Sequence, residues 1–296
     1  MAVTISEEVK RLGLETHVLE LEVDGLTVVP PDVHGVAIAQ FEHMVELLLA
    51  KSEQMIGCRF TLDRGPHGNL EFSPDAAGLS AVDKENRKPG QFLIQQLARH
   101  HRLFRDLAVN PTAVALMRHM IGDDATRFSS HNSFVKWQDD FGYGPTLGLH
   151  CDQTQMPRPW GRAALTANTN WCLTDYTKEG GSFAYVPASH RLGRRPDQPS
   201  AASRAVPVEC SKGSVIVFHG ATWHGAFPRL IPGMRLSIAN YYRHHMVMSQ
   251  EDIRATFPRE LADDCDDPAL FKQLAGFNDR FPYAEQSQAV PILADA

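Results

Sequence analysis

Residues 212–242 read KGSVIVFHGATWHGAFPRLIPGMRLSIANYY. Two apolar runs, 214–219 and 236–242, flank a stretch broken by glycine and proline, and Lys212-Gly213 turns the chain into the first. Runs of the same kind recur upstream at 134–137, 147–151, 163–173, 182–186 and 206–208. Gly142, Gly144 and Pro145, then Gly180-Gly181, set them apart. Several short strands at close spacing predict an antiparallel sandwich or barrel in the middle of the chain.

Outward from that β-rich middle the texture is helical. Thr4 and Glu7 have the spacing of a capping box that opens a short helix. Residues 19–29 alternate and carry Asp24-Gly25, which predicts a strand or hairpin. After Pro30-Pro31-Asp32, Phe41, Met44, Val45, Leu48 and Leu49 fall at i, i+3, i+4, i+7 and i+8, one face of a helix. A turn-rich stretch, 63–90, precedes a helix pair: 91–108 with Leu93, Leu97 and Phe104, and 111–121 with Pro111 in its first turn. Beyond Ser249 the pattern is helix-like again, broken at Phe257-Pro258 and Asp267-Pro268. The expectation is one catalytic domain over 1–296, mainly β with flanking helices: a mostly helical part over 1–126, a β core over 127–245 and a helical or extended tail over 246–296.

With 296 residues, 43% hydrophobic and 22% charged, the chain can bury a sizeable core. A net charge of −6 with scattered Lys and Arg argues against a nucleic-acid surface. The N-terminus lacks an apolar signal core, and the best apolar stretch, 44–50, is broken by Glu46, far short of the roughly 18 residues of a membrane span. A soluble, cytoplasmic protein is expected. Cys58, Cys151, Cys172, Cys210 and Cys265 are odd in number and include no C-x-x-C pair, so free thiols are expected rather than disulfides or thiolate zinc.

His150-x-Asp152 followed by His224 carries the chemistry. Residues i and i+2 of an extended segment project to one face, so His150 and Asp152 can clasp one ion while Cys151 points away. His224, in Trp223-His224-Gly225, brings a third ligand from elsewhere in the fold. Two imidazoles and one carboxylate leave open the coordination positions that a non-haem iron(II) oxygenase needs for a 2-oxo acid and dioxygen. A closed four-ligand zinc site leaves none. The competing reading is a strand-end His and Asp capping a turn, a pattern that a chain with 14 histidines supplies by chance. Arg235, eleven residues beyond His224, shifts the balance. A fixed guanidinium can bind the 5-carboxylate of a metal-chelated 2-oxoglutarate bidentately, which a lysine does less well. His219 competes for the third ligand position; the spacing from His224 to Arg235 suits a loop and a returning strand, which favours His224 and leaves His219 to packing.

These residues resemble the phytanoyl-CoA dioxygenase family of iron(II)/2-oxoglutarate oxygenases. The resemblance spans about 24–242. It rests on VDGLTVVP (23–30), Leu149-His150-Cys151-Asp152, EGGSFAYVPASH (179–190), KGSVIVF (212–218), Trp223-His224-Gly225 and Arg235. It implies a double-stranded β-helix, a jelly-roll, cupin-like core with helices packed outside. It also implies an enzyme using iron(II), 2-oxoglutarate and O2, which oxidises and by default hydroxylates a small organic molecule while releasing succinate and CO2. Some relatives desaturate, epoxidise, rearrange or form endoperoxides; halogenating relatives lack the carboxylate that Asp152 supplies here. Relatives often carry a Trp beside the co-substrate where this chain has Asn170, and some a Gln where it has Leu147. Asn132 and Asn170 are the candidates for the co-substrate's 1-carboxylate, with Arg235 at its other end.

The loop QTQMPRPWGR (153–162) follows the ligands where a substrate lid is expected, with Met156 and Trp160 as candidate substrate contacts. Arg191, Arg194 and Arg195 form either a solvated basic loop or a seat for an anionic substrate group. Two other classes compete. A zinc- or manganese-dependent hydrolase or isomerase on a similar sandwich leaves Arg235 unexplained. A non-catalytic binding protein on a degenerate fold is at odds with the intact His150, Asp152, His224 and Arg235 set.

Overall fold

The run VIVFH becomes a strand buried along its whole length, as an uninterrupted apolar run should. A computed structural model describes residues 4–56, 61–63, 91–137, 144–197 and 200–281. Its strands are β1 (Leu26–Val29), β2 (Gln91–Ile94), β3 (Thr126–Trp137), β4 (Thr166–Cys172), β5 (Phe183–Tyr185), β6 (Val206–Val208), β7 (Val215–His219), β8 (His224–Ala226) and β9 (Met234–His244). They form two antiparallel sheets, of order β1-β7-β4-β9-β3-β2 and β6-β5-β8. This is a jelly-roll, or double-stranded β-helix, whose sheets do not close into a barrel.

Strand periodicity divides the large sheet into two faces. Asn132 on β3, Asn168 on β4, Phe218 on β7 and Arg235 on β9 look towards the small sheet and line a cavity. Alternate residues, among them Trp171, Val217, Leu236 and Tyr242, are buried against the helices in one core cluster that runs from Val9 to Ala275. A smaller cluster, including Cys172, Tyr176, Phe183, Val208 and Ile216, joins the two sheets.

The helix Ile38–Ile56 buries Phe41, Met44, Val45 and Leu48 as the spacing predicts. The helix Pro111–Ile121 starts with Pro111, capped by the Asn110 side chain. Short helices Ile253–Thr256 and Pro268–Leu274 form the tail. No described helix is long and apolar enough to cross a membrane.

Several elements differ from the sequence reading, for identifiable reasons. The first helix, Glu7–Arg11, is capped by Ser6, whose hydroxyl accepts the Val9 N–H, rather than by Thr4. Glu15–Asp24 is helix, not strand. Leu14, Val18 and Leu21 face the core at helical spacing, and the alternation read at 19–23 leaves Leu19 and Val23 in solvent. Gly25 ends that helix at φ 79°, a left-handed cap, and only Leu26–Val29 pair as a strand. Residues 91–94 join the sheet edge beside β3, so the helix expected from 91 begins at Arg102. The run 147–151 is no ladder strand: Leu147 and Gly148, at φ 53° and 60°, leave His150 in a single bridge with His224. The stretch 64–90 and the turn at Gly142 lie outside the described residues.

Strand β8 passes very close to this bridge segment. A Cβ on Gly225 would sit 2.1 Å from the Leu147 carbonyl oxygen, which already accepts the Ala226 N–H at 3.1 Å. Gly225→Ala is expected to displace 147–150 and to cost about 1–3 kcal/mol of stability. Thermal unfolding checks this, and an unchanged Tm would contradict the close approach.

Candidate metal centre and its cavity

His150 and His224 exchange both backbone hydrogen bonds, each 2.9 Å, which fixes the start of one ligand segment against β8. Cys151 is extended (φ −139°, ψ 144°), so His150 and Asp152 share a face while the thiol turns into an apolar cluster with Leu149, Val186 and Trp223. Asp152 then opens the short 3-10 turn Asp152–Gln155, which carries the chain away. One ligand atom from each of His150, Asp152 and His224 lies within 4.8 Å of the others. Asp152 sits between the imidazoles, with Oδ1 3.7 Å from His150 Nε2 and Oδ2 3.7 Å from His224 Nε2.

Both rings are oriented by the backbone. Nδ1 of His150 faces the Gly148 carbonyl and Nδ1 of His224 the Thr222 carbonyl, each at 2.9 Å. A carbonyl only accepts, so Nδ1 is the donor in each ring and Nε2 is the nitrogen turned towards the other ligands. Burial pushes His224 down to about 4, which keeps its ring neutral. Asn168 donates to Asp152 Oδ2 at 2.5 Å and fixes the carboxylate rotamer. Two imidazoles and one held carboxylate, all turned to one cavity, fit a divalent non-haem metal. Asn168→Ala is expected to weaken metal binding on the order of tenfold, since losing a partner that orients a ligand typically costs this much. A metal titration that gives the same affinity would remove that role.

His219 stands apart from this group. It follows Phe218 on β7, so it faces the helices while Phe218 faces the cavity. Its Nδ1 accepts the Ala221 N–H at 3.0 Å.

The cavity has a volume of about 260 Å3, with Leu93, Phe134, Phe183 and Phe218 among its apolar walls and Ser130, Asn132, Asn170, Ser237 and Tyr241 among its polar ones. Arg235 is buried in its lining, donates to the Gly181 carbonyl and lies over the Tyr176 ring at 5.0 Å. Its Nε is buried and makes no hydrogen bond, a costly arrangement unless an anion meets it. Lys136 pairs with Arg235 across β3 and β9 and donates to the Phe227 carbonyl at 2.8 Å. Burial, then the charges of Arg235 and Arg229, push its ammonium down to about 7. Arg229 donates to the carbonyls of Gly180, Pro232 and Gly233. Cations therefore gather at Arg235.

Asn132 and Asn170 both line the cavity; Asn170 donates to the Tyr176 hydroxyl at 3.4 Å and its Oδ1 has no partner. Met156 and Trp160 do not line it. The Trp160 indole donates to the Met156 carbonyl at 3.2 Å, and its ring borders a second cavity on the helix side. The three loop arginines are spread over separate contacts: Arg191 with the Glu22 carbonyl, Arg194 over the Trp223 ring and Arg195 with the Thr154 carbonyl. The sequence does not single out Lys136, Asn168, Arg229 or Tyr241. A lysine inside the apolar run 134–137 and an asparagine two residues from Asn170 were the available signals.

A family model for phytanoyl-CoA dioxygenase (PhyH) matches residues 74–236, more than half of the chain, and the match includes His150, Asp152, His224 and Arg235. The chain belongs to the phytanoyl-CoA dioxygenase family. Dioxygenase af480 of Aspergillus fumigatus is 34% identical over 125 residues, 41% of this family member and 38% of that protein. Uncharacterized protein Rv1501 of Mycobacterium tuberculosis is 30% identical over 138 residues, 46% of this chain and 49% of the other. The chain thus matches less than half the length of these curated relatives. Among solved structures, HygX from Streptomyces hygroscopicus with nickel, 2-oxoglutarate and hygromycin B bound covers 79% of this chain and 88% of its own, at TM-score 0.56 and 16% identity. The alpha-ketoglutarate-dependent carbocyclase SnoK from nogalamycin biosynthesis covers 78% and 83%, at TM-score 0.53 and 19% identity. At these identities the likeness is one of fold, which this phytanoyl-CoA dioxygenase family member shares with both.

Proposed function

We propose that this family member is an iron(II)- and 2-oxoglutarate-dependent dioxygenase that oxidises a small organic molecule, with hydroxylation as the outcome. One observation carries the reading: the His150, Asp152 and His224 ligand atoms share a cavity with a buried arginine whose Nε–H is unmet. A chelating 2-oxo acid that reaches from the metal to Arg235 accounts for both ends at once. When bound, iron(II) with 2-oxoglutarate and O2 supplies the oxidising power, and the co-substrate leaves as succinate and CO2.

The chain's own residues bind and orient. Gly148 and Thr222 aim the two imidazoles through their carbonyls, and Asn168 aims the carboxylate. Arg235 would receive the 5-carboxylate, and the Asn132 and Asn170 amides, which line the same cavity, would meet the 1-carboxylate. Phe183 stacks on His224 at 5.3 Å and Phe218 covers it at 4.7 Å, keeping bulk water from that ligand. A cavity of about 260 Å3 with mixed walls supports a small-molecule substrate. The hygromycin B bound to HygX supports the same class. Cys151, Cys172, Cys210 and Cys265 are free thiols, which supports a cytoplasmic location. Protein given iron(II) and 2-oxoglutarate without oxygen is expected to show a visible charge-transfer band, and with oxygen to release succinate. Absence of both would sink the reading.

A further inference from the structure

On the helix side of the large sheet lies a second cavity of about 750 Å3, within the range of roughly 300–1,000 Å3 usual for small-molecule sites. Strand β7 and the turn after it separate it from the metal cavity. We propose that this cavity is a binding site for a planar organic acid, its carboxylate received by His219 with Arg162 and Arg191, its body lying against Trp160.

His219 is 6% exposed. Because its Nδ1 accepts the Ala221 N–H, the ring proton belongs on Nε2. That Nε2–H is buried, borders the cavity and makes no hydrogen bond. The Arg162 main-chain carbonyl faces the same ring and favours its protonated form, but stands outside hydrogen-bond geometry for Nε2. His190, its ring 5.4 Å away, has a buried Nδ1 that also lacks a partner. A donor held in this state wants an acceptor oxygen.

The charge at the rim says which kind. The Glu22 carboxylate is already taken by His119 Nε2 at 3.1 Å and by Arg162 at 2.8 Å, and Arg191 donates to the Glu22 main-chain carbonyl. Among the lining side chains two guanidinium groups stand against one carboxylate, whose two oxygens each already accept a hydrogen bond, so the lining carries positive charge in excess. The complement is an anion with oxygen acceptors. Trp160, Leu21 and Met120 supply flat or apolar wall, which suits an unsaturated or aromatic body. None of this depends on the reading of the metal centre.

The test is calorimetric titration of 2-naphthoate into the full chain, alone and again with manganese and 2-oxoglutarate present, and the site is assigned by the variants below. Saturable one-to-one binding is expected, at least tenfold weaker for 2-naphthamide, which keeps the rings and loses the charge. His219→Phe is expected to weaken 2-naphthoate at least tenfold, and His219→Gln, whose amide can still donate, to retain most of the affinity. No saturable binding, equal binding of the amide, or undiminished binding in His219→Phe would overturn the proposal. Should near-UV circular dichroism show that His219→Phe does not fold, the double variant Arg162→Ala with Arg191→Ala decides: a loss of at least tenfold supports the site, and unchanged affinity ends it.

Discussion

Asp152→Ala and His224→Ala are each expected to abolish the anaerobic charge-transfer band and to cut 2-oxoglutarate-coupled succinate release on the order of a thousandfold. A catalytic metal is worth several kcal/mol of barrier, and about 1.4 kcal/mol is tenfold in rate, so losing its hold reaches that scale. The two variants remove different things. Asp152 is the only carboxylate in the triad and offers one oxygen towards each imidazole at 3.7 Å, so alanine leaves the metal two imidazole ligands and no anionic one. It also strands the Asn168 amide that now donates to it. His224 is buried under Phe183 and Phe218, and alanine there would leave a void as well as a missing ligand. Near-UV circular dichroism therefore accompanies both measurements, and His224→Gln serves as a variant that better keeps the volume. A folded Asp152→Ala protein that retained the band would mean that the ion sits elsewhere.

How much of this site the sequence carried depends on how local each relation is. His150 and Asp152 could be paired because one extended residue, Cys151, stands between them, and the structure gives Cys151 that conformation even though 147–151 is not a strand. His224 could be preferred to His219 from its distance to Arg235. The physical reason, that Phe218 faces the cavity and His219 therefore cannot, needs the orientation of β7, which chain spacing does not hold. Lys136 is further from reach: its tie to Arg235 is a cross-strand register between residues far apart in the chain. Met156 and Trp160 mislead in the opposite way. They are near the ligands in sequence, but the 3-10 turn at Asp152–Gln155 sends the chain to the other side of the large sheet, where Trp160 borders the second cavity. Among the fold elements, the jelly-roll middle was legible because its runs are short, apolar and closely punctuated. Helix Glu15–Asp24 was not, because Leu19, Leu21 and Val23 alternate by accident while Leu14, Val18 and Leu21 carry the burial.

Arg235→Ala is expected to weaken 2-oxoglutarate on the order of a hundredfold, read as its dissociation constant from the anaerobic charge-transfer band. Hydrogen bonds to a charged group contribute about 1.5–3 kcal/mol each, and a buried fork with its Nε–H unmet has that much to give. Arg235→Lys should recover part of the loss, since it keeps the charge and gives up the fork. Lys136 adds a pH dependence whose sign can be worked out. Burial and the neighbouring arginines hold its ammonium near 7, so below pH 7 the charge is present to attract the 5-carboxylate, and above it the attraction fades. Affinity for 2-oxoglutarate is therefore expected to fall between pH 6 and 8, and Lys136→Met should flatten that slope. The two results separate the fork from the field around it. An Arg235→Ala enzyme that binds 2-oxoglutarate as tightly as before would move the anchor to another residue, and a pH slope that survives Lys136→Met would take the charge of Lys136 out of co-substrate binding.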